Sequence, residues 1–387
     1  MTPLCHGTRC WHAVGMAEVT VGIGMAPADI TLDLGDLHPS GHGALRVACR
    51  IEDGVVVAAD PQPGLLHRGT EKLLEVRDYR QALMLANRHD WLSAVTSEVA
   101  LALAVEELLG LEPPPRAVWL RTILCEINRA AAALMHAAGA AALPPRGMAP
   151  HDVPGMRGRE ALQRCLESIS GGRVHPMITR IGGLAHDAPD GWVDEVGAAG
   201  EVVRAELPAL REAVARTIPS GLAPITHAEA VAFGTSGPVA RASGLDLDAR
   251  RDAPYLAYAD VAGTLQVVTA HAGDALSRYA VLLDQVEADL ALMLTLLDAI
   301  PDGPVSVPLP KVVRAPEGSA YSVVESATGR SGAYVVSVGE TTPWRVRLRT
   351  PSYAHAQAMG VGLPGTRLDD LAAAIGSFMC VAGDTDH

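Results

Sequence analysis

The stretch DALSRYAVLLDQVEADLALMLTLLDAI, residues 274–300, is the clearest structural signal in the chain. Apolar residues recur in it at a spacing of three or four, an aspartate opens it, and a proline follows at position 301. This spacing places the apolar side chains on one face of a helix. Proline then ends the helix because it has no backbone N–H to donate. The stretch therefore predicts one long amphipathic helix.

Helical spacing also occurs on both sides of this stretch, in five further segments: 93–109, 116–138, 159–169, 194–218 and 367–375. Ser93 is a candidate N-cap for the first segment, and Gly110 and Gly139 are candidate stop residues after the first and the second. Amphipathic helices bury their apolar faces against one another. We therefore expect a central helical bundle.

Two other regions alternate apolar and polar residues, which is the pattern of half-buried strands. Residues 44–60 predict a hairpin with Asp53-Gly54 in its turn. In the last quarter of the chain, AYSVVES, GAYVVSV and WRVRLRT predict an antiparallel meander. The predicted fold class is α+β, a central helical bundle with small N-terminal and C-terminal antiparallel β elements. Residues 37–387 are expected to form a single domain after an N-terminal extension, residues 1–36, that is partly disordered.

The composition excludes several classes of function. The 387 residues include 44 acidic and 31 basic side chains, for a net charge of −13. That balance argues against a nucleic-acid partner, whose phosphates need clustered cations. No segment approaches the roughly 20 consecutive apolar residues of a membrane-spanning helix, and the N-terminus lacks the apolar core of a signal peptide. The six cysteines are scattered without a CxxC pair, which is typical of a reduced, cytoplasmic protein.

Several polar motifs suggest chemistry without identifying a reaction. The loop HPSGHG (38–43) either offers an imidazole to a ligand or is only a structural loop. LHRGTEK (66–72) and RHDW (88–91) concentrate charge in an otherwise apolar chain. Near the N-terminus, the candidate zinc ligands are Cys5, His6, Cys10 and His12. Because no second ligand cluster accompanies them, we expect an extension without metal.

Taken together, these motifs resemble the D subunit of bacterial NADH-quinone oxidoreductase, the hydrogenase-like large subunit of respiratory complex I. The resemblance runs from about residue 37 to the C-terminus. It is carried in colinear order by HPSGHG (38–43), DPQPGLLHRGTEKL (60–73), YRQAL (79–83), RHDW (88–91), AVEELLGLEPPPRAVWLR (104–121), RIGGLAHDAP (180–189), SGPVARASGLDLDARRDAPYLAY (236–258) and YVVSVGETTPWRVRLRTPSYAH (334–355). It implies the fold of a nickel–iron hydrogenase large subunit.

The resemblance also implies what the chain binds. Hydrogenases hold nickel and iron with paired cysteines, but residues 87–91 contain no cysteine and the tail contains only Cys380, so hydrogenase activity is disfavoured. We expect no metal or other cofactor in this chain. The family forms a quinone chamber with the B subunit of the complex, whose terminal iron–sulfur cluster supplies the electrons. The C and I subunits and the membrane-embedded H subunit are the other expected partners, menaquinone is the expected quinone, and the cytoplasmic face of the bacterial membrane is the expected location.

Three residues match family positions with a role. Arg68 matches an arginine beside the terminal cluster, and His175 matches a histidine that links reduction of this cluster to protonation. A cation and an imidazole there stabilise the added electron. His42 matches the histidine that faces a quinone carbonyl, a role that suits imidazole because it donates a hydrogen bond and exchanges a proton near neutral pH.

Two other positions depart from the family. Trp91 stands where the family has a tyrosine against the quinone, and indole offers one N–H donor but no phenolic proton. The family aspartate that pairs with the equivalent of His42 should fall near Leu143 or Pro144, yet residues 127–151 contain no acidic residue. The sequence therefore leaves two hypotheses. The chain is a divergent paralogue with altered quinone chemistry, or it is a non-catalytic scaffold of such an assembly.

Overall fold

The computed structural model describes residues 16–22, 30–32, 34–35, 37–144 and 146–387. The strands within these residues are β1 (Met16–Gly22), β2 (Ile30–Leu32), β3 (Ala44–Glu52), β4 (Val55–Gln62), β5 (Thr179–Arg180), β6 (Gly183–Leu184), β7 (Gly318–Glu325), β8 (Arg330–Ser337) and β9 (Arg345–Arg349). The helices are α1 (Thr70–Glu75), α2 (Tyr79–His89), α3 (Ala94–Leu109), α4 (Pro115–Ala141), α5 (Met156–Ser170), α6 (Trp192–Thr217), α7 (His227–Phe233), α8 (Gly237–Arg241), α9 (Ala249–Asp252), α10 (Ala275–Asp298), α11 (Pro351–Gly362), α12 (Leu371–Gly376) and α13 (Ala382–Thr385).

Helix α4 is the centre of the core. Every residue from 120 to 141 is buried, and the helix contacts α3, α5, α6 and α10. A helix surrounded on all sides is expected to be largely apolar. The alanines along its second half are, and their small size allows neighbouring backbones to approach closely. The predicted helical bundle is thus confirmed, with α4 at its axis.

The helix boundaries show which end signals were correct. Helix α10 occupies the predicted segment, and its N-cap Asp274 accepts the backbone N–H of Ser277 at 2.8 Å. Gly110 ends α3 in the left-handed conformation, as predicted. Gly139 does not end α4, which continues to Ala141. A Cβ at Gly139 would lie 2.6 Å from the Cα of His38, so this glycine is required by a close approach between backbones and not by a helix end.

The N-terminal sheet has the strand order β2-β1-β3-β4. Strands β3 and β4 form the predicted hairpin, with Asp53 and Gly54 both at positive φ, 49° and 75°, as a type I′ turn requires. Strand β1 pairs antiparallel with β3 along its whole length, and β2 pairs parallel with β1. The assignment of 1–36 to an extension therefore missed two strands, because their pairing partners are distant or weakly patterned. The rest of that extension, with the candidate zinc ligands, lies outside the described residues.

The C-terminal meander is confirmed. Strands β7, β8 and β9 are antiparallel neighbours in that order, and β7 and β8 pack on α3. Strand β4 of the N-terminal sheet packs on α11. The two sheets are thus both attached to helices of the core. The α+β class follows from this arrangement.

A buried ion network joins α4 to the elements around it. No member is more than 4% exposed; they are Arg129, Arg241, Arg250, Glu126, Asp248, Asp289 and Glu325. Arg250 is central, since its guanidinium donates to Asp248 and Asp289 at 2.8 Å each and to Glu126 at 3.1 Å. Arg129 donates to Asp289 at 3.0 Å, and Arg241 donates to Glu325 at 2.9 Å.

The network holds four carboxylates against three guanidiniums. The pKa of Asp248 lies well below its usual range, since Arg250 and Arg241 outweigh its burial. Burial raises the pKa of Glu126 and of Glu325. Glu126 also accepts the hydroxyl of Tyr258 at 2.5 Å. A proton on one of the two glutamic acids would balance the charge of the cluster.

We predict that Arg250→Leu destabilises the fold by about 3–5 kcal/mol, because it leaves three buried carboxylates without their shared cation. Arg251→Leu, one residue along the same helix, is the matched control. Arg251 pairs with Asp246 and Asp252 at the surface, and such pairs contribute about 1 kcal/mol or less. Denaturant unfolding of the full chain measures both, and equal losses would contradict the assigned role of Arg250.

We also predict that Gly139→Ala lowers stability by about 1–3 kcal/mol, because its methyl group would overlap the backbone at His38. Gly200→Ala, at a buried position of helix α6, should instead raise stability by about 0.5–1 kcal/mol through helix propensity. A Cβ at Gly200 would lie 3.6 Å from Leu290 Cδ2, an ordinary contact. Thermal unfolding distinguishes the two, and opposite signs are the expected result.

Candidate functional site

The loop at 38–43 buries one imidazole and presents another. His38 is fully buried, its Nδ1 accepts the backbone N–H of Ser40 at 3.3 Å, and its Nε2 lies 3.2 Å from the Tyr279 hydroxyl. A 3₁₀ turn, Pro39–Gly41, separates it from His42. His42 is exposed, and the chain then enters β3. The loop before a strand, predicted from its glycines, thus directs His42 outward.

Trp91 lies next to this loop, together with helix α13. A Cβ at Gly43, where φ is 102°, would lie 2.6 Å from the Cβ of Ala382 and 3.8 Å from Cη2 of Trp91. A Cβ at Gly383 would lie 2.9 Å from Cε3 of Trp91. Only glycine fits at these two positions. Trp91 therefore packs against Gly43, the residue that follows His42. Ala382 and Gly383 of α13 lie beside the same contact.

The indole presents the carbon atoms of its benzo ring to Gly43 and Gly383. Its Nε1 is buried without a hydrogen-bond partner among the described residues. Trp91 also lines a separate cavity of about 20 Å³, next to Asn128 and Arg159. A cavity of this size holds one water molecule. The part of Trp91 that lies against the residue after His42 is therefore carbon and not the N–H donor.

The position of the missing aspartate is apolar. Leu143 is buried in the core just after α4, and Pro144 is exposed. No carboxylate reaches the His42 loop from here. At the position where the sequence predicts that the family aspartate is missing, this chain has Leu143, whose side chain packs in the core.

Arg68 and His175 meet at the C-terminal end of α2. Arg68 donates through Nη2 to the carbonyl of Arg88 at 3.3 Å, and His175 Nδ1 lies 3.1 Å from the carbonyl of Asn87. Since a carbonyl only accepts, Nδ1 of His175 carries the proton and Nε2 is the acceptor of the neutral ring. Burial and the charge of Arg88 lower the pKa of His175. The two residues thus bond to neighbouring carbonyls at one helix end.

Asp386 holds the loop that carries Arg68 through hydrogen bonds to its backbone. Asp386 accepts the backbone N–H groups of Gly64 and Leu66 through its two oxygens, at 2.7 Å each. In the same loop region, Glu71 accepts from Arg347 at 3.0 Å and from the backbone of Leu348 at 3.0 Å. Much of the charge in LHRGTEK is therefore structural, and it positions the loop.

Sequence reasoning missed Asp384. This carboxyl is buried, accepts the backbone N–H of Ser352 at 3.2 Å and has Oδ1 3.7 Å from Nε2 of His89. Burial and the charge of Asp90 raise its pKa well above the usual range, while burial lowers the pKa of His89 to about 4. Burial thus disfavours the charged form of both groups. In the sequence, the acidic tail GDTDH (383–387) was the feature that could have indicated this carboxyl.

A nickel–iron centre does not fit this site. Among the described residues, no group of three or more His, Cys, Asp or Glu side chains is arranged to hold a metal ion. Cys380 is a buried thiol directed at the carbonyl of Ser352, 3.5 Å away, and burial raises its pKa. Soft metals need paired thiolates. The described part of the chain also contains no helix with both the length and the apolar character needed to span a bilayer.

Comparisons with known proteins identify the family of this chain. A curated relative from Salinispora tropica, named as D subunit number 2 of NADH-quinone oxidoreductase, is 48% identical over 384 residues, 96% of this chain and 97% of the relative. D subunit number 1 of the NADH-quinone oxidoreductase of Streptomyces coelicolor is 46% identical over 379 residues, 95% of this chain and 98% of the relative.

A solved structure of the membrane-bound sulfane sulfur reductase, an archaeal respiratory membrane complex, contains a chain with the same fold. The TM-score is 0.83 at 32% identity, over 89% of this chain and 94% of that one. This confirms the predicted α+β fold of the hydrogenase large-subunit type. The family profile described as "Respiratory-chain NADH dehydrogenase, 49 Kd subunit" matches residues 152–315 and 308–387. The chain belongs to this family, that of the D subunit of NADH-quinone oxidoreductase.

Proposed function

We propose that this chain forms one wall of a quinone-reduction chamber in a complex I-like assembly. The B subunit forms the facing wall, and its terminal iron–sulfur cluster passes electrons to a quinone, with menaquinone the expected species. One observation carries the proposal. The two groups expected to face quinone and cluster, His42 with Trp91 and Arg68 with His175, converge on residues 87–91 at the end of α2.

The cluster side consists of a cation and an imidazole. Arg68 is exposed and held by the backbone of α2, so its charge is available to a docked partner. His175 is neutral and directs its second nitrogen away from its carbonyl partner. Both would stabilise an electron added to a nearby cluster. The chain itself then supplies no cofactor, and quinone is its substrate.

The quinone side consists of His42 and the apolar face of Trp91. An imidazole can donate a hydrogen bond to a quinone carbonyl and pass a proton to it. The benzo ring of Trp91 supplies a flat wall but no proton. Because neither Trp91 nor Leu143 supplies the polar group of the family, quinone chemistry here depends on His42 alone. The names of the relatives, which number their D subunits 2 and 1, support the interpretation as a paralogue.

The remaining partners follow from this proposal. The C, I and H subunits complete the assembly at the cytoplasmic face of the membrane, and quinone reduction is coupled to proton translocation. The alternative is a non-catalytic scaffold, which the burial of the Trp91 N–H without a hydrogen-bond partner favours. Purification of the assembly through an N-terminal tag on this chain decides between them. Copurified partners that reduce a short-chain menaquinone with NADH support the proposal, whereas copurification without quinone reduction supports the scaffold.

We predict that Trp91→Tyr raises the rate of quinone reduction by the assembly, because a phenol hydroxyl would replace the far edge of the benzo ring next to Gly43. The matched control is Trp344→Tyr, since Trp344 is 69% exposed and should give the wild-type rate. Steady-state reduction of the same menaquinone measures both. An unchanged rate in the first variant would show that the tryptophan does not limit the chemistry.

We predict that His175 gives the potential of the partner's cluster a pH dependence. While the partner's cluster is oxidised, the pKa of His175 lies below its usual value. An electron added to the cluster raises this pKa. Between these two pKa values, reduction takes up a proton, so the potential falls by about 59 mV per pH unit as pH rises. His175→Gln should flatten this slope, while His151→Gln, at an exposed turn, should keep it. Redox titration followed by electron paramagnetic resonance measures the slopes.

A further inference from the structure

Two arginines on neighbouring strands line one cavity at the edge of the C-terminal sheet. Arg330 begins β8, Arg349 ends β9, and Arg349 donates through Nη1 to the carbonyl of Arg330. Both line a cavity of about 210 Å³. The lining also includes Val231 and Leu247, which are 57% and 43% exposed. The cavity is therefore open to solvent, and a small molecule can enter it.

The other two arginines of β9 have a carboxylate partner, and Arg349 does not. Arg345 and Arg347 pair with Glu71 at 3.2 and 3.0 Å, whereas no carboxylate of the described residues pairs with Arg349. The same holds for Arg330, whose Nε is also buried without a hydrogen-bond partner. Burial lowers the pKa of Arg349, and the charge of Arg330 lowers it further. Two such neighbours without a counter-ion attract an anion.

The carboxylate in the cavity lining is bonded elsewhere. Glu325 accepts from Arg241 through Oε1 at 2.9 Å and from the backbone N–H of Ala249 through Oε2 at 3.1 Å. Both oxygens are thus engaged with the buried ion network around α4. Glu325 attracts Arg349, but it makes no direct bond to Arg349 or to Arg330. The charge of the arginine pair therefore remains available to a ligand.

Ser236 adds a hydroxyl group to the same lining. The residue is 8% exposed, and its Oγ accepts the backbone N–H of Arg330 at 3.0 Å. Its hydroxyl hydrogen has no acceptor among the described residues, so it can be donated to an anion. The apolar residues of the lining are Ala230, Val231, Leu245 and Leu247. The cavity thus combines two guanidiniums and one hydroxyl with an apolar side.

These groups and the size of the cavity suit a phosphate monoester. Guanidinium groups match the oxygen atoms of phosphate and of carboxylate. A phosphate monoester carries a charge of about −1.5 to −2 at pH 7, which balances two arginines better than the single charge of a carboxylate does. The volume of about 210 Å³ equals that of roughly seven water molecules in the liquid. It holds a phosphate group together with a short apolar body.

We propose that Arg330, Arg349 and Ser236 bind the phosphate group of a small phosphate monoester, whose apolar part lies against Val231 and Leu247. The site does not rest on the proposed quinone chemistry, since it shares no residue with it. Its ligand would join β8 and β9 to α7. Because such a ligand binds only the folded chain, it should also raise the thermal unfolding temperature.

Calorimetric titration of the full chain tests the site with phenyl phosphate, inorganic phosphate and benzoate. Phenyl phosphate should bind most tightly, because it supplies both the charge and an apolar body, and benzoate should bind most weakly. Arg330→Gln should weaken the binding of phenyl phosphate at least tenfold. Arg330→Glu should abolish it, because the new carboxylate would pair with Arg349 in place of the ligand. The matched control is Arg314→Gln, which removes an exposed arginine paired with Glu340 and should leave the affinity unchanged.

Thermal unfolding without ligand shows whether each variant is folded, and Arg349→Gln replaces any Arg330 variant that is not. The proposal is overturned if neither phosphate binds the wild-type chain with a Kd of about 1 mM or lower, or if Arg330→Glu binds phenyl phosphate as the wild type does. Sedimentation with vesicles then identifies the source of the phosphate. Binding to phosphatidic acid in phosphatidylcholine that is lost in Arg330→Glu assigns it to a lipid headgroup, and absence of vesicle binding assigns it to a soluble ester.

Discussion

The contact of Arg250 with three buried carboxylates fixes the position of α4, and the rest of the molecule depends on it. One guanidinium joins α4, α10 and the start of α9, and the neighbouring arginines extend the network to β7 and α8. Apolar packing between alanine-rich surfaces is weakly directional, because small side chains interlock poorly. Charged hydrogen bonds are directional. The network therefore specifies the rotation of α4 that places Gly139 under His38 and His136 toward His38.

The site depends on backbone groups more than on pairs of side chains. Arg68 and His175 both bond to carbonyls in the last turn of α2, where the final carbonyls of a helix lack partners within the helix. Asp386 bonds to two N–H groups of the Arg68 loop. Such anchors tolerate changes in the neighbouring side chains. The positions of Arg68 and His175 therefore do not depend on which side chains stand at positions 91 and 143.

The parts of the fold that sequence reasoning predicted are those specified locally. The 274–300 helix, the Asp53-Gly54 hairpin and the meander each carry their own periodicity and turn residues. Strands β1 and β2 were missed because a short strand is stabilised mainly by pairing with a partner strand elsewhere in the chain, and its own residues show little of this. The residue types at positions 42 and 91 are evident from the sequence, but the placement of the Trp91 ring depends on its packing against Gly43 and Gly383. The contacts of Asp384 with Ser352 and His89 required three-dimensional proximity between segments far apart in sequence.

The position of α13 has a consequence for the order in which the protein matures. The wall against which Trp91 packs, and the anchor of the Arg68 loop, consist of residues 382–386, which the ribosome adds after every helix of the bundle. The core can therefore form during synthesis while the site stays open, and insertion of this segment is its closing step. A chain cut before Ala382 would lose the wall against which Trp91 packs and the anchor of the Arg68 loop, whereas every helix of the bundle precedes the cut.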